Sequence, residues 1–174
     1  MIRQTGFILG LWCLCMPVAF SQVENTFQLL KAKTINTNLA QQFPIDKSFQ
    51  GNQATFSDAK ILINTLDQSI KLQMTASAND KQQHLVATLV FTGKMLYDSF
   101  SESYVFDNLK LDGFIVEQDT YSDSLPVIKA IKQSLINDFE ELILFNLGEI
   151  NSLSPRRQAD EIEISKDQLR LIWN

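Results

Sequence analysis

A single histidine, His84, bounds what acid–base or metal chemistry this chain can perform. A serine–histidine–carboxylate relay needs the imidazole within hydrogen-bond reach of a nucleophile and oriented by an acid. No Gly-x-Ser-x-Gly elbow is present to present such a serine, and His84 follows a turn over Asn79 to Lys81, so it reads as a surface strand residue. The acids are scattered or alternate with apolar residues, as Glu161 and Glu163 do, without the Asp-rich spacing of a calcium loop. Gly51, Gly93, Gly113 and Gly148 are too far apart to form a loop that cradles phosphates. Arg156-Arg157 has the charge to meet an anionic head group, although a solvated loop pair is the ordinary role of such a dipeptide. The expectation is a protein with no catalytic residues, no metal and no cofactor.

The first residues read as a secretory signal. Arg3 precedes an apolar run from Phe7 to Phe20, whose fourteen residues would reach about 21 Å as a helix, short of the ~30 Å hydrocarbon core. Ala19 and Ser21 place small residues at −3 and −1 of a cut before Gln22. Cleavage there leaves 153 of the 174 residues, 22–174, as one domain and removes both cysteines, Cys13 and Cys15. Trp12 and Leu14 precede them where a lipoprotein signal wants a small residue, so no lipid anchor is expected. The implied location is periplasmic. Removing residues 1–21 also takes away Arg3 and no acid, so 15 basic residues become 14 against 20 acidic, a balance of −6. That balance, without a Lys/Arg cluster, argues against nucleic acid as a partner.

Alternation dominates the rest. Residues 24–31 read as a short strand, and Ile35, Leu39 and Phe43 mark one face of a helix over 32–42 that ends at Pro44. Residues 45–53 read as loop. Residues 54–64 form a strand that changes phase near Ser57 and Asp58, where a bulge is expected. Strands over 69–78, 84–98 and 104–117 make a long antiparallel meander, the last with phase breaks near Asn108 and Gly113. The stretch 125–143 has helical periodicity: Ile128, Ile131, Leu135, Phe139 and Leu142 share an arc of about 80°, and Pro126 suits a first turn. A short strand over 144–147, a loop over 152–159 and a hairpin over 161–165 and 168–173 close the chain.

The fold class these elements imply is α+β: a long antiparallel sheet wrapped around one long amphipathic C-terminal helix, with a short N-terminal helix. A 19-residue helix, about 28 Å, matches strands of ten residues or more. The inward residues then line either a packed core or an apolar groove. The groove candidates are Ile70, Leu72, Met74 and Ala76 on one strand, Leu85, Ala87, Leu89, Phe91, Gly93 and Met95 on the next, and Ile128, Ile131, Leu135 and Phe139 on the helix. A lipid or other apolar molecule is the ligand such a groove would take. The other reading is a closed core in an envelope protein that acts through a protein partner, with membrane contact at most peripheral.

The segments ATFSDAKILINTL, IKLQMTASA, GKMLYDS, YVFDNLKLDGFIVE and EIEISKDQLRLIW, in this order, resemble the YceB-like family of Gram-negative envelope lipoproteins. The resemblance implies the tubular lipid-binding (TULIP) architecture, a sheet around a long helix, and lipid binding by analogy. The chain departs from that family in lacking a lipidation cysteine.

Overall fold

From Ser69 to Ala78 every second residue is buried: Ile70, Leu72, Met74, Ala76 and Ala78 face inward, and Lys71, Gln73, Thr75 and Ser77 face out. A strand with one wet face and one dry face must pair sideways, and this one lies at the centre of a six-stranded antiparallel sheet. In the computed structural model, which describes residues 26–49, 51–80, 82–138, 142–150 and 155–174, the elements are β1 (Thr26–Lys31), α1 (Ala32–Gln41), β2 (Ile45–Phe49), β3 (Asn52–Asn64), β4 (Ser69–Asp80), β5 (Gln83–Asp98), β6 (Ser103–Asp119), α2 (Leu125–Asp138), β7 (Leu142–Asn146), α3 (Leu147–Ile150), β8 (Glu161–Ser165) and β9 (Gln168–Trp173). The large sheet runs β2-β3-β4-β5-β6-β7, and a second sheet runs β1-β9-β8.

The large sheet curls, and α1 shows why. Strands β3 and β7 are four places apart, about 19 Å in a flat sheet, yet α1 packs against both. Ile35 and Leu39, one turn apart on α1, are fully buried. Two side chains of the same helical segment then finish the strand edges. The Ile61 N–H on β3, just past the bulge between Ser57 and Lys60, donates to Asn36 Oδ1 at 2.8 Å. On β7, Gln42 Nε2 donates to the Ile143 carbonyl at 2.6 Å while the Ile143 N–H donates to Gln42 Oε1 at 3.2 Å. The Gln42 amide thus imitates a neighbouring strand.

Tyr104 ties the large sheet to the segment that leads into β8. Its ring is stacked on Phe145 at 5.0 Å and tilted against Tyr97 at 5.3 Å, and its hydroxyl accepts the Ala159 N–H at 2.7 Å. Nearby, Trp173 of β9 donates its indole N–H to the Arg157 carbonyl at 3.0 Å, so the 155–160 segment is held from both sides. The bulges in β3 and β6 carry Asp58 and Asn108 at positive φ, a conformation these two residue types tolerate.

The structure corrects the expected fold class. The protein is mostly β, with short helices, and the α+β arrangement of a sheet around one long C-terminal helix, with the TULIP architecture attached to it, is not what forms. The helix over 125–143 stops short: α2 is described to Asp138, and Leu142 and Ile143 belong to β7. Phe139 lies outside the described residues. Leu142 pairs with Phe106 and Ile143 with Val105, so an open edge of β6 claims residues whose periodicity also suits a helix. The face α2 buries is Val127, Ala130, Ile131 and Leu135, against β2 and β3 at one end of the curl. Residues 45–49, read as loop, form β2, because β3 between Asn52 and Phe56 has an edge to satisfy. The signal segment expected over 1–21 lies outside the described residues.

Replacing Asn36 by alanine leaves the Ile61 N–H without an acceptor in a half-buried setting, at a cost of about 1–2 kcal/mol. The melting temperature of Asn36→Ala should fall by about 3–6 °C, and that of Asn36→Asp, which keeps the acceptor, by clearly less.

Candidate functional site

Most of the groove candidates described are in one place, and it is filled. Leu72, Met74 and Ala76 of β4 and Leu85, Ala87, Leu89 and Phe91 of β5 are buried with Ile131 and Leu135 of α2 in a continuous core that includes Ile35, Leu39 and Phe56. Ile128 is half-buried beside it. The hollow where α2 meets β3 and β4, lined by Ala54, Ala78, Val127, Ala130 and Ile131, holds only about 10 Å³. An acyl chain does not fit in that hollow.

Three of the candidates are elsewhere. Ile70, Gly93 and Met95 lie at the far end of β4 and β5 and, with Phe106 of β6 and Ile162 and Ile164 of β8, line a cleft of about 310 Å³ between the two sheets. Gln68, Ser69 and Thr92 supply its polar rim. The sequence hid this site because its second wall comes from β8, some seventy residues away, and only the sheet packing brings it there. Small-molecule sites begin at about this volume and are mostly apolar with a few polar groups at the edge.

Gly93 shapes the cleft. A Cβ on it would lie 2.9 Å from the Asp107 carbonyl oxygen and 3.0 Å from the Phe106 ring, so only glycine lets β6 cross here, opposite the irregular pairing between Thr92 and Lys94. A larger hollow of about 800 Å³ lies between α1 and the β8–β9 turn, with Lys31, Lys33 and Lys166 among its lining residues. It is wide open to water, so it offers little enclosure for an apolar ligand.

The residues that raised chemistry in the sequence have structural partners. The His84 N–H donates to Thr120 Oγ1 at 2.7 Å, and the Thr120 N–H donates to the His84 carbonyl at 2.9 Å, which fastens the end of β6 to the start of β5. Arg156 pairs with Glu102 at 3.3 Å, and Arg157 pairs with Asp160 at 3.3 Å and donates to the Asn174 carbonyl. These pairs are largely exposed and contribute little to stability individually. Among the described residues no three His, Cys, Asp or Glu side chains converge as a metal site.

Two turns flank the cleft end of the meander, and both are fixed by a side chain at their first position. Asn64 Oδ1 accepts the Leu66 N–H at 3.0 Å, and Asp98 Oδ1 accepts the Phe100 N–H at 3.0 Å. The Ser101 hydroxyl, with the Phe100 and Ser101 amides, holds the Asp98 carboxyl below the usual carboxylate range. Deep burial pushes the Tyr104 phenol up, against the opposing effect of the Ala159 N–H.

No family model matches this chain, and no curated protein sequence matches it.

Gly93→Ala must displace either the β6 backbone or the Phe106 ring, at about 1–3 kcal/mol. Its melting temperature should fall by at least about 3 °C, whereas Gly113→Ala, whose Cβ would meet only Val90 at 3.5 Å, should fall by less.

Proposed function

We propose that this is a non-enzymatic, exported binding module that takes a short apolar chain, such as the end of an acyl chain, into the cleft between the two sheets. The cleft of about 310 Å³ walled by Ile70, Met95, Phe106, Ile162 and Ile164 carries this reading. Each methylene sheltered there contributes about 0.8 kcal/mol, and the rim residues Gln68, Ser69 and Thr92 can hydrogen-bond a polar head at the mouth. The packed interior between α2 and β4–β5 confines the ligand to this end of the molecule. The likeness to an envelope lipoprotein family accords with an apolar ligand and a periplasmic location.

A second reading, a protein that acts through an extended peptide partner, is favoured by the outer edge of β6. Among the described residues only Ser103–Phe106 of that edge are paired, which leaves the backbone of residues 107–119 open, with Ile115 and Val116 exposed. An added strand would complete it.

Titration with a fluorescently labelled fatty acid separates the two. The protein should bind the probe, and Ile164→Glu, which removes one wall and covers roughly two methylenes fewer, should weaken binding at least about tenfold. Equal affinity in both proteins contradicts the cleft; an absence of probe binding, together with loss of a captured peptide on Ile115→Pro, supports the strand-edge reading.

A further inference from the structure

We propose that the cleft end of the molecule docks on a neutral lipid surface, with Leu66 and Phe100 as the two side chains that enter it. In an antiparallel meander every second turn lies at the same end, so the β3–β4 turn (65–68) and the β5–β6 turn (99–102) share one end of the sheet. Each displays one large apolar residue almost wholly in water: Leu66 is 95% exposed and Phe100 is 98% exposed. Single exposed apolar residues are ordinary, but these two occupy equivalent places. In both turns an Asn or Asp accepts the backbone N–H of the residue two positions on, and that residue is the apolar one. Asp67 then accepts both the N–H and the hydroxyl of Ser69, and Asp98 accepts both from Ser101, so each turn is braced on its far side as well. The backbone that carries each apolar side chain is thereby fixed at the tip, and both side chains stand in water.

Among the described hairpin turns only these two carry the display; at the opposite end the exposed apolar residue is Leu125, 74% exposed, at the start of α2 and outside any hairpin turn. The β4–β5 connection at the opposite end reads Asn79, Asp80, Lys81, Gln82, and the β2–β3 connection Gln50, Gly51, with no apolar residue. Behind each tip the outward face carries another partly exposed leucine, Leu62 on β3 and Leu96 on β5, so the apolar surface continues down both hairpins. The register sets Lys71 opposite Thr92, which makes Ser69 level with Lys94; β5 then runs four residues further, about 14 Å, before it turns. Two knobs at different heights, about two strand spacings apart, do not form the continuous surface that a protein pocket would match. A fluid apolar layer accepts both. The nearby charges decide which lipid. Arg156 is paired by Glu102 and Lys71 by Asp112, which leaves Asp67 and Asp98 against Lys94, so this end has no excess of positive charge to favour anionic head groups.

The inference rests on the turns and stands whether or not the cleft holds a ligand. Among residues 22–174 the native tryptophan is Trp173, which is buried, so an indole introduced by Leu66→Trp or Phe100→Trp reports its own surroundings. With phosphatidylcholine vesicles, both indoles should shift to shorter emission wavelength and be quenched by brominated lipid. The double variant Leu66→Asp, Phe100→Asp should partition onto vesicles at least about tenfold less than unsubstituted protein of the same N-terminal mass, while Asn79→Asp at the opposite end should bind unchanged. Comparison at equal mass cancels any contribution from residues 1–25. Indoles whose emission vesicles leave unaltered, a double variant that partitions like the unsubstituted protein, or a shift that follows protein concentration without lipid would each overturn the proposal. Stronger binding to vesicles containing phosphatidylglycerol would overturn the choice of a neutral surface.

Discussion

A curled sheet with two free edges has to satisfy backbone groups on both, and in this protein one ten-residue helix does much of that work. The edge of β3 beyond Ser57 has no strand beside it, and β7 is the last strand at the other side. Helix α1 lies between them with Ile35 and Leu39 turned into the core, and the Asn36 and Gln42 amides take the place of strand backbone against Ile61 and Ile143. Unpaired N–H and C=O groups at such positions would each cost free energy and invite pairing with another chain. The helix is therefore the seam of the structure, and the burial of its apolar stripe keeps the seam shut.

Closing the curl in this way determines where function can reside. With α1 along the seam and α2 across one end, the inward residues of β4 and β5 are buried in one core, and the hollow where α2 meets β3 and β4 holds only about 10 Å³. The opposite end is different because a separate small sheet stands over it. Strand β8 approaches β3 there, and its Ile162 and Ile164 leave a gap above Ile70 and Met95. Gly93 keeps that gap from being closed by its own side chain and lets the Phe106 ring form the floor. The cleft, the braced turns and their exposed apolar residues all belong to this end.

Much of the sheet is legible from sequence, because a strand with one buried face imposes a period of two that few other structures share. Residues 69–78 and 84–98 show it without a break, and the phase changes at Ser57–Asp58 and near Asn108 correspond to the bulge and the irregular pairing found there. The long helix is where the reading fails. Leu142 continues the stripe of Leu135, yet over five residues an apolar run suits a strand equally, and only the presence of Ser103–Phe106 as a pairing edge decides between them. Strand β2 is hidden for the converse reason: Ile45–Phe49 has too few apolar residues to announce itself and exists because β3 needs a neighbour. As for the site, Ile70, Gly93 and Met95 stand among the inward positions in sequence, but nothing local marks them off from Leu72 or Leu89; the wall from β8 does that, and it is a tertiary fact.

Native-state hydrogen exchange at Ile61 and Ile143 tests the seam most directly, since each amide is donated to a side chain of the α1 segment and reports whether that segment and the sheet edges open together. The account predicts that both amides, those of α1 around Leu39 and those of β4 around Leu72 exchange through a common opening, with similar free energies and the same denaturant dependence. If α1, Ile61 and Ile143 exchanged rapidly while β4 stayed protected, the helix would be an accessory lying on a sheet that closes without it, and the central claim would be wrong.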